Sequence, residues 1–245
     1  MPDTRAHTAL AVFGGYSTCM TMILALFFVV AAQSQSALGT FESMLTADPE
    51  NLKIAAEYRQ AVIASNEYDR AIKFFDALDK RPGAGPNAAL NLGLAYIDKI
   101  PTVGAFRRIS LGNNATAALT RSIEREPSEV AYTIRGLVNL RFEKGFFHRT
   151  PAGVADLEMA LRLASAHPNR RYVATIYLGL GDGYWRLKNH EKARETWKAG
   201  QMRFPHDDRF RQRLTSPDNV VSDTLSQELD AGVRVDTSLH ELFAD

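Results

Sequence analysis

Cysteine is almost missing from this chain. Cys19 stands alone among 245 residues, so no intramolecular disulfide can form and no CxxC or Cys/His zinc spacing exists. An excess of one charge is missing too. The formal net charge is +1, which argues against a bulk nucleic-acid binder. The chain has no HExxH, no GxSxG, no phosphate-binding glycine loop and no GxGxxG, the patterns that announce metal, hydrolytic or nucleotide chemistry. His148, His167, His190 and His206 are scattered through turns and helix ends. His206-Asp207-Asp208 has the residue types of a metal site, but Asp after Pro205 is also an ordinary helix start. The expectation is a protein without metal, cofactor or catalytic centre.

Long apolar runs are confined to the N-terminus. After Arg5 and His7 an apolar stretch builds to MTMILALFFVVAA over 20–32, followed by small residues. Residues 1–32 therefore read as a secretory signal peptide, with Val30-Ala31-Ala32 as an exit, or as an N-terminal membrane anchor. Either way the body is expected to be exported: periplasmic, or held to the inner membrane by this segment.

What the chain does have is helical periodicity. In ATIYLGLGDGYWRLKNHEKARETWKAGQMRFP (174–205), Tyr177, Leu180, Gly181 and Tyr184 share one helix face. A turn at Lys188-Asn189-His190 follows, then a second helix carries Ala193, Trp197 and Gly200, ending before Pro205. Gly181 lets a neighbouring helix approach closely. The second-helix pattern recurs as Ala37/Phe41/Met44, Ala71/Phe75/Leu78, Ala115/Leu119/Ser122 and Gly153/Leu157/Ala160, each with a proline further on. Its first two copies are about 34 residues apart. This order and spacing resembles the tetratricopeptide repeat (TPR) family over residues 37–205. The resemblance implies an all-α, right-handed solenoid of TPR-like helical hairpins: four full hairpins and a leading helix at Ala37–Met44. Residues 33–205 form the solenoid, 206–215 a C-terminal capping helix with Phe210 and Leu214 inward, and 216–245 an acidic tail. Val221, Leu225 and Leu229 suggest one amphipathic helix in that tail, and Leu239, Leu242 and Phe243 a second. It either packs on the solenoid or waits for a partner.

Two hairpins look stretched. Lys99–Asn114 reads as an inserted loop broken by Pro101, Gly104 and Gly112, and Gly145–Gly153 as a shorter one broken by Pro151 and Gly153. Adjacent repeats place equivalent turns side by side, so Phe106, Arg107, Arg108, Lys144, Phe146, Phe147, His148 and Arg149 are candidates for one partner-binding surface. Aromatics with arginine suit a protein interface, and the basic residues would also suit an anionic membrane surface. The alternative is that the phenylalanines pack under their own loops while the arginines are solvated.

The resemblance implies a second site, the concave face that binds extended peptides in this family. Asn87, Asn91, Arg135, Arg141, Asp182 and Arg186 fall there, beside Lys53 and Gln60. Asn87 and Asn91 match part of the set with which some members hold a peptide carboxylate, but the accompanying lysines are absent. Arg135 and Asn139 stand where apolar residues are expected, as groove contacts or as an irregular repeat. The reading is a non-enzymatic TPR scaffold of the periplasm or envelope that mediates protein–protein interaction in assembly or transport. The alternative is a small-ligand-binding accessory of a transport system, using Arg135, Asn139 and Asp182. The partner's identity and the oligomeric state are not legible.

Overall fold

A computed structural model describes residues 37–142, 148–166 and 171–243, and among them every regular element is a helix. Helix α1 (37–47) leads. Four antiparallel hairpins follow: α2 (Leu52–Ser65) with α3 (Tyr68–Asp79), α4 (Pro86–Lys99) with α5 (Ala105–Arg125), α6 (Glu129–Arg141) with α7 (Thr150–Leu163), and α8 (Tyr172–Arg186) with α9 (His190–Arg203). Three elements close the chain: α10 (Asp208–Thr215), α11 (Asp218–Glu228) and the single turn α12 (His240–Phe243). From α3 to α10 each helix packs mainly on its neighbours in sequence, which makes the molecule a helical solenoid. No described helix is long and apolar enough to cross a membrane; residues 1–32, with the expected leader or anchor, lie outside the described residues.

The repeated ladder is the packing seam. Ala71, Phe75 and Leu78 on α3, Ala115 and Leu119 on α5, Leu157 and Ala160 on α7, and Ala193 and Trp197 on α9 are all buried. Small residues set how closely the helices approach. A Cβ on Gly181 would lie 2.2 Å from Nε1 of Trp197, and one on Gly136 would lie 2.9 Å from the Gly153 carbonyl of the facing helix. The turn between α8 and α9 forms at Lys188-Asn189-His190: Lys188 takes a left-handed φ of 62°, and Asn189 Oδ1 caps α9 by accepting from the Lys192 amide at 3.2 Å.

Several expectations are corrected. In α1 the buried residues are Leu38 and Leu45, whereas Met44 is 44% exposed and Ala37 is also exposed. The leading helix therefore buries a different face, with Leu38 and Leu45 in the cluster around Tyr58 and Phe75, than its sequence ladder suggests. The first supposed inserted loop is largely helix: after a 3-10 turn at Ile100–Thr102, α5 runs unbroken for 21 residues. Gly104 stands just before α5, but Gly112 does not break it, because the Phe142 ring fills the space above Gly112. In the second stretch, Pro151 sits in the first turn of α7, where it costs no hydrogen bond, and Gly153 lies within α7 facing Gly136. In α10 the second buried residue is Arg213, with Leu214 only half-buried.

Candidate functional site

The first helices of the hairpins, α2, α4, α6 and α8, line a common channel, and the C-terminal tail lies in it. From α11, whose Val221 and Leu225 join the core, the chain crosses α6. There the Arg141 guanidinium donates to the carbonyl of Asp230 at 3.1 Å. It continues to α4 and α3, where Arg234 donates to the Asp98 carbonyl at 3.4 Å and to the Tyr68 hydroxyl at 3.0 Å. At its deepest point the Thr237 carbonyl accepts from Arg59 of α2 at 2.7 Å, and the Thr237 hydroxyl donates to the Asp98 carboxylate. Leu239 then takes a φ of 58° and turns the chain back. Glu241 accepts from Thr175 of α8 at 3.0 Å and lies 3.7 Å from Arg209 of α10.

The floor under Thr237 is charged and buried. Arg59 is fully buried, its Nε donating to Asn91 Oδ1 at 3.2 Å and its Nη1 to Asp98 Oδ2 at 3.3 Å. Burial pushes Arg59 down from its usual pKa against the pull of Asp98, and pushes Asp98 up against the pull of Arg59 and Thr237. Beside the tail, a cleft of about 410 Å³ remains between Val233–Asp236 and the walls Ile134, Leu137 and Tyr172.

The concave-face candidates sort by what they hold. Asn91 belongs to the Arg59 floor, and Arg141 meets the tail; burial lowers the Arg141 pKa to about 10. Asn87 is an inter-repeat tie, its amide and side chain bonding Glu50 at 3.0 and 2.8 Å. Arg186 donates to the Leu140 carbonyl. Arg135 is not a groove contact: it forks onto Asp156 of α7 at 2.9 and 2.7 Å, with Asn139 beside it at 3.4 Å. Asp182 is turned inward as well, accepting from Trp197 at 3.1 Å and from Arg213 of α10 at 2.7 and 2.9 Å. Burial pushes the Asp182 carboxyl up while Arg213 pulls it down. Arg135, Asn139 and Asp182 therefore do not line one small-molecule pocket.

The other candidate surface is the N-terminal end of α5. Phe106 is 93% exposed there, and Arg107 is exposed beside it without an ion pair among the described residues. Arg108 turns away, donating to Val103 at 2.9 Å and lying against Gly232 of the tail. Arg149 reaches Asn113 of α5 at 2.5 Å, so the two stretched hairpins do meet at this edge. His148 is exposed. Lys144, Phe146 and Phe147 lie outside the described residues. His206-Asp207-Asp208 starts α10: Asp207 accepts from the Arg209 amide at 3.1 Å as its cap, and no metal-ligand cluster occurs among the described residues.

Sequence reasoning missed Arg59, Asp98, Arg234 and Thr237. Arg59 and Asp98 were detectable as charges on the apolar faces of LKIAAEYRQAVIA and LGLAYIDK. Thr237, 178 residues from Arg59, carries no local signal.

The family model described as Tetratricopeptide repeat matches residues 31–90. No curated protein matches the chain. Among solved structures, the chain is similar to TTC0263, a thermophilic TPR protein of Thermus thermophilus, with a TM-score of 0.54 and 18% identity over 78% of this chain and 93% of that one. It is also similar to MamA, with a TM-score of 0.51 and 20% identity over 74% of this chain and 92% of that one. The repeat match and both structures support a TPR-type helical solenoid, a fold whose members generally mediate protein–protein interaction and are generally not enzymes.

Proposed function

We propose that this chain is a non-enzymatic, exported scaffold that binds a protein partner in the cell envelope, in support of assembly or transport. The carrying observation is the open surface at the start of α5, where Phe106 stands almost fully in solvent beside Arg107. An exposed phenylalanine next to an arginine without an ion pair among the described residues contributes little to the solenoid's own packing, and both types are enriched at protein interfaces. The apolar stretch at 20–32 supports export, and Arg107 also suits contact with an anionic membrane surface.

The test is crosslinked capture from the native envelope with the full chain and with its Phe106→Ala/Arg107→Ala variant. The expected result is one partner recovered by the wild type and at least ten-fold depleted by the variant. The thermal midpoint should be unchanged, since neither side chain is packed. Equal recovery by the two baits would remove the α5 edge from the interface.

A further inference from the structure

We infer that the cleft between the C-terminal tail and helices α6 and α8 is a binding site for a small organic monocarboxylate with an apolar body, its acid end held by Arg141. Ile134, Leu137 and Arg141 stand at i, i+3 and i+7 on α6, so the guanidinium closes an apolar stripe. Tyr172 of α8 and Val235 of the tail line the same space of about 410 Å³, within the ~300–1,000 Å³ range of small-molecule sites. The walls are fixed. Leu229 and Leu239 are buried in the core cluster around Leu119, Leu157 and Trp197, and Val235 and Leu242 pack against it. The tail is therefore a permanent side of the cleft and need not move to admit a ligand.

Arg141 supplies the selectivity. Its Nη1 donates to the carbonyls of Asp230 and Val233 at 3.1 and 3.5 Å. Its Nε and Nη2 donate to none of the described residues, and neither is sealed from solvent. Elsewhere in this protein that edge grips a carboxylate. Arg135 forks Asp156 through Nε and Nη2 at 2.9 and 2.7 Å, and Arg213 forks Asp182 at 2.7 and 2.9 Å. A planar carboxylate is the anion that matches such an edge. The acids around the cleft are committed to other groups: Glu228 pairs with Arg213 at 2.5 Å, Asp236 meets His240 at 3.0 Å, and Glu241 lies 3.7 Å from Arg209. Arg141 is thus a half-buried cation with no carboxylate in contact among the described residues. Burial lowers its pKa to about 10 against the pull of Glu228 and Asp230. An incoming carboxylate would offset that cost. The same acids limit the ligand's charge, because a dianion would face them across the cleft.

The cleft shares no lining residue with the α5 edge, so the failure of this inference and the failure of the scaffold reading are separable. The probe is para-fluorobenzoate, titrated with the full chain and followed by fluorine NMR. The expected result is saturable binding that weakens by about ten-fold or more in Arg141→Gln. The uncharged para-fluorobenzamide should not bind. Hexanoate should displace the probe, and inorganic phosphate at the same concentration should not. If Arg141→Gln loses its helical circular dichroism, Val233→Trp takes its place: it narrows the cleft from an exposed position and leaves the Arg141 side chain intact. No saturable binding of para-fluorobenzoate, or equal affinity for wild type and a folded variant, overturns the inference. Binding of the amide as tight as the acid, or displacement by phosphate as effective as by hexanoate, overturns it too.

Discussion

At the scale of single residues, the last hairpin shows how a sequence motif becomes a packing constraint. Trp197 lies across Gly181, and its indole nitrogen donates to Asp182 at 3.1 Å. Alanine at 181 would gain about 1 kcal/mol of helix propensity. Its Cβ, however, would meet the ring at 2.2 Å, and a fully buried tryptophan cannot swing away without losing that hydrogen bond. Gly181→Ala should therefore be destabilising by about 1–3 kcal/mol net, checked by urea denaturation. The same aspartate holds α10 through Arg213. Arg213→Ala leaves a buried carboxylate without its cation and should cost about 3–5 kcal/mol. Adding Asp182→Asn should recover part of that loss. A double mutant no more stable than Arg213→Ala alone would show that the buried charge is not the source of the penalty.

At the scale of elements, α1 is held to the first hairpin by Glu42. Its carboxylate accepts from Arg70 at 2.7 and 2.9 Å and from the Tyr58 hydroxyl at 2.7 Å. Partial burial pushes the Glu42 pKa up, but these donors outweigh it and hold it below the ordinary value of 4.5. A group lowered on folding stabilises the native state above its unfolded pKa and loses that contribution as pH falls through the folded one. Stability should thus decline below about pH 4.5, with Glu42 contributing about 1 kcal/mol of the change. Glu42→Gln should flatten the dependence, measured by chemical denaturation between about pH 6 and pH 3. An unchanged slope would place the acid sensitivity elsewhere.

Elements also mark where the sequence was legible. The ladder of Ala71, Phe75 and Leu78 and its later copies located each second helix, because a small residue followed four positions on by a large apolar one marks a single buried helix face. The stretch from Ala105 to Asn114 was misread as loop. Glycine is a weak breaker when a tertiary neighbour such as Phe142 fills the space its missing side chain leaves. Arg135 and Asn139 were recognised as anomalous, but not as partners of Asp156, because the pairing residue lies on the next helix.

At the scale of the molecule, the described core falls into two clusters, one around Tyr58 and Phe75 and one around Leu119, Leu157 and Trp197. A solenoid couples such blocks only through neighbours. The tail adds a direct tie, since Thr237 bonds Arg59 and Asp98 in the first half while Leu239 packs in the second cluster. Both tryptophans, Trp185 and Trp197, report on the second half. In urea, tryptophan fluorescence and far-ultraviolet circular dichroism should unfold together for the full chain. They should separate in the Thr237→Glu variant. Coincident transitions in both proteins would mean that the hairpins alone carry the cooperativity.

The sequence by itself determined the helical hairpins, their number, the small residues at their seams and the apolar face of α11; the second tail helix it suggested is a single turn, with Leu239 outside it and Phe243 exposed. These are local matters: a periodicity of 3.6 and the volume at one position are written in neighbouring residues. Only the tertiary structure decided where the tail goes and which polar residues form the channel floor. Arg59, Asp98 and Thr237 become one site through contacts spanning 39, 139 and 178 positions. Nothing in the residues flanking any one of them specifies the others, because a buried charge is selected by the partner the fold brings to it.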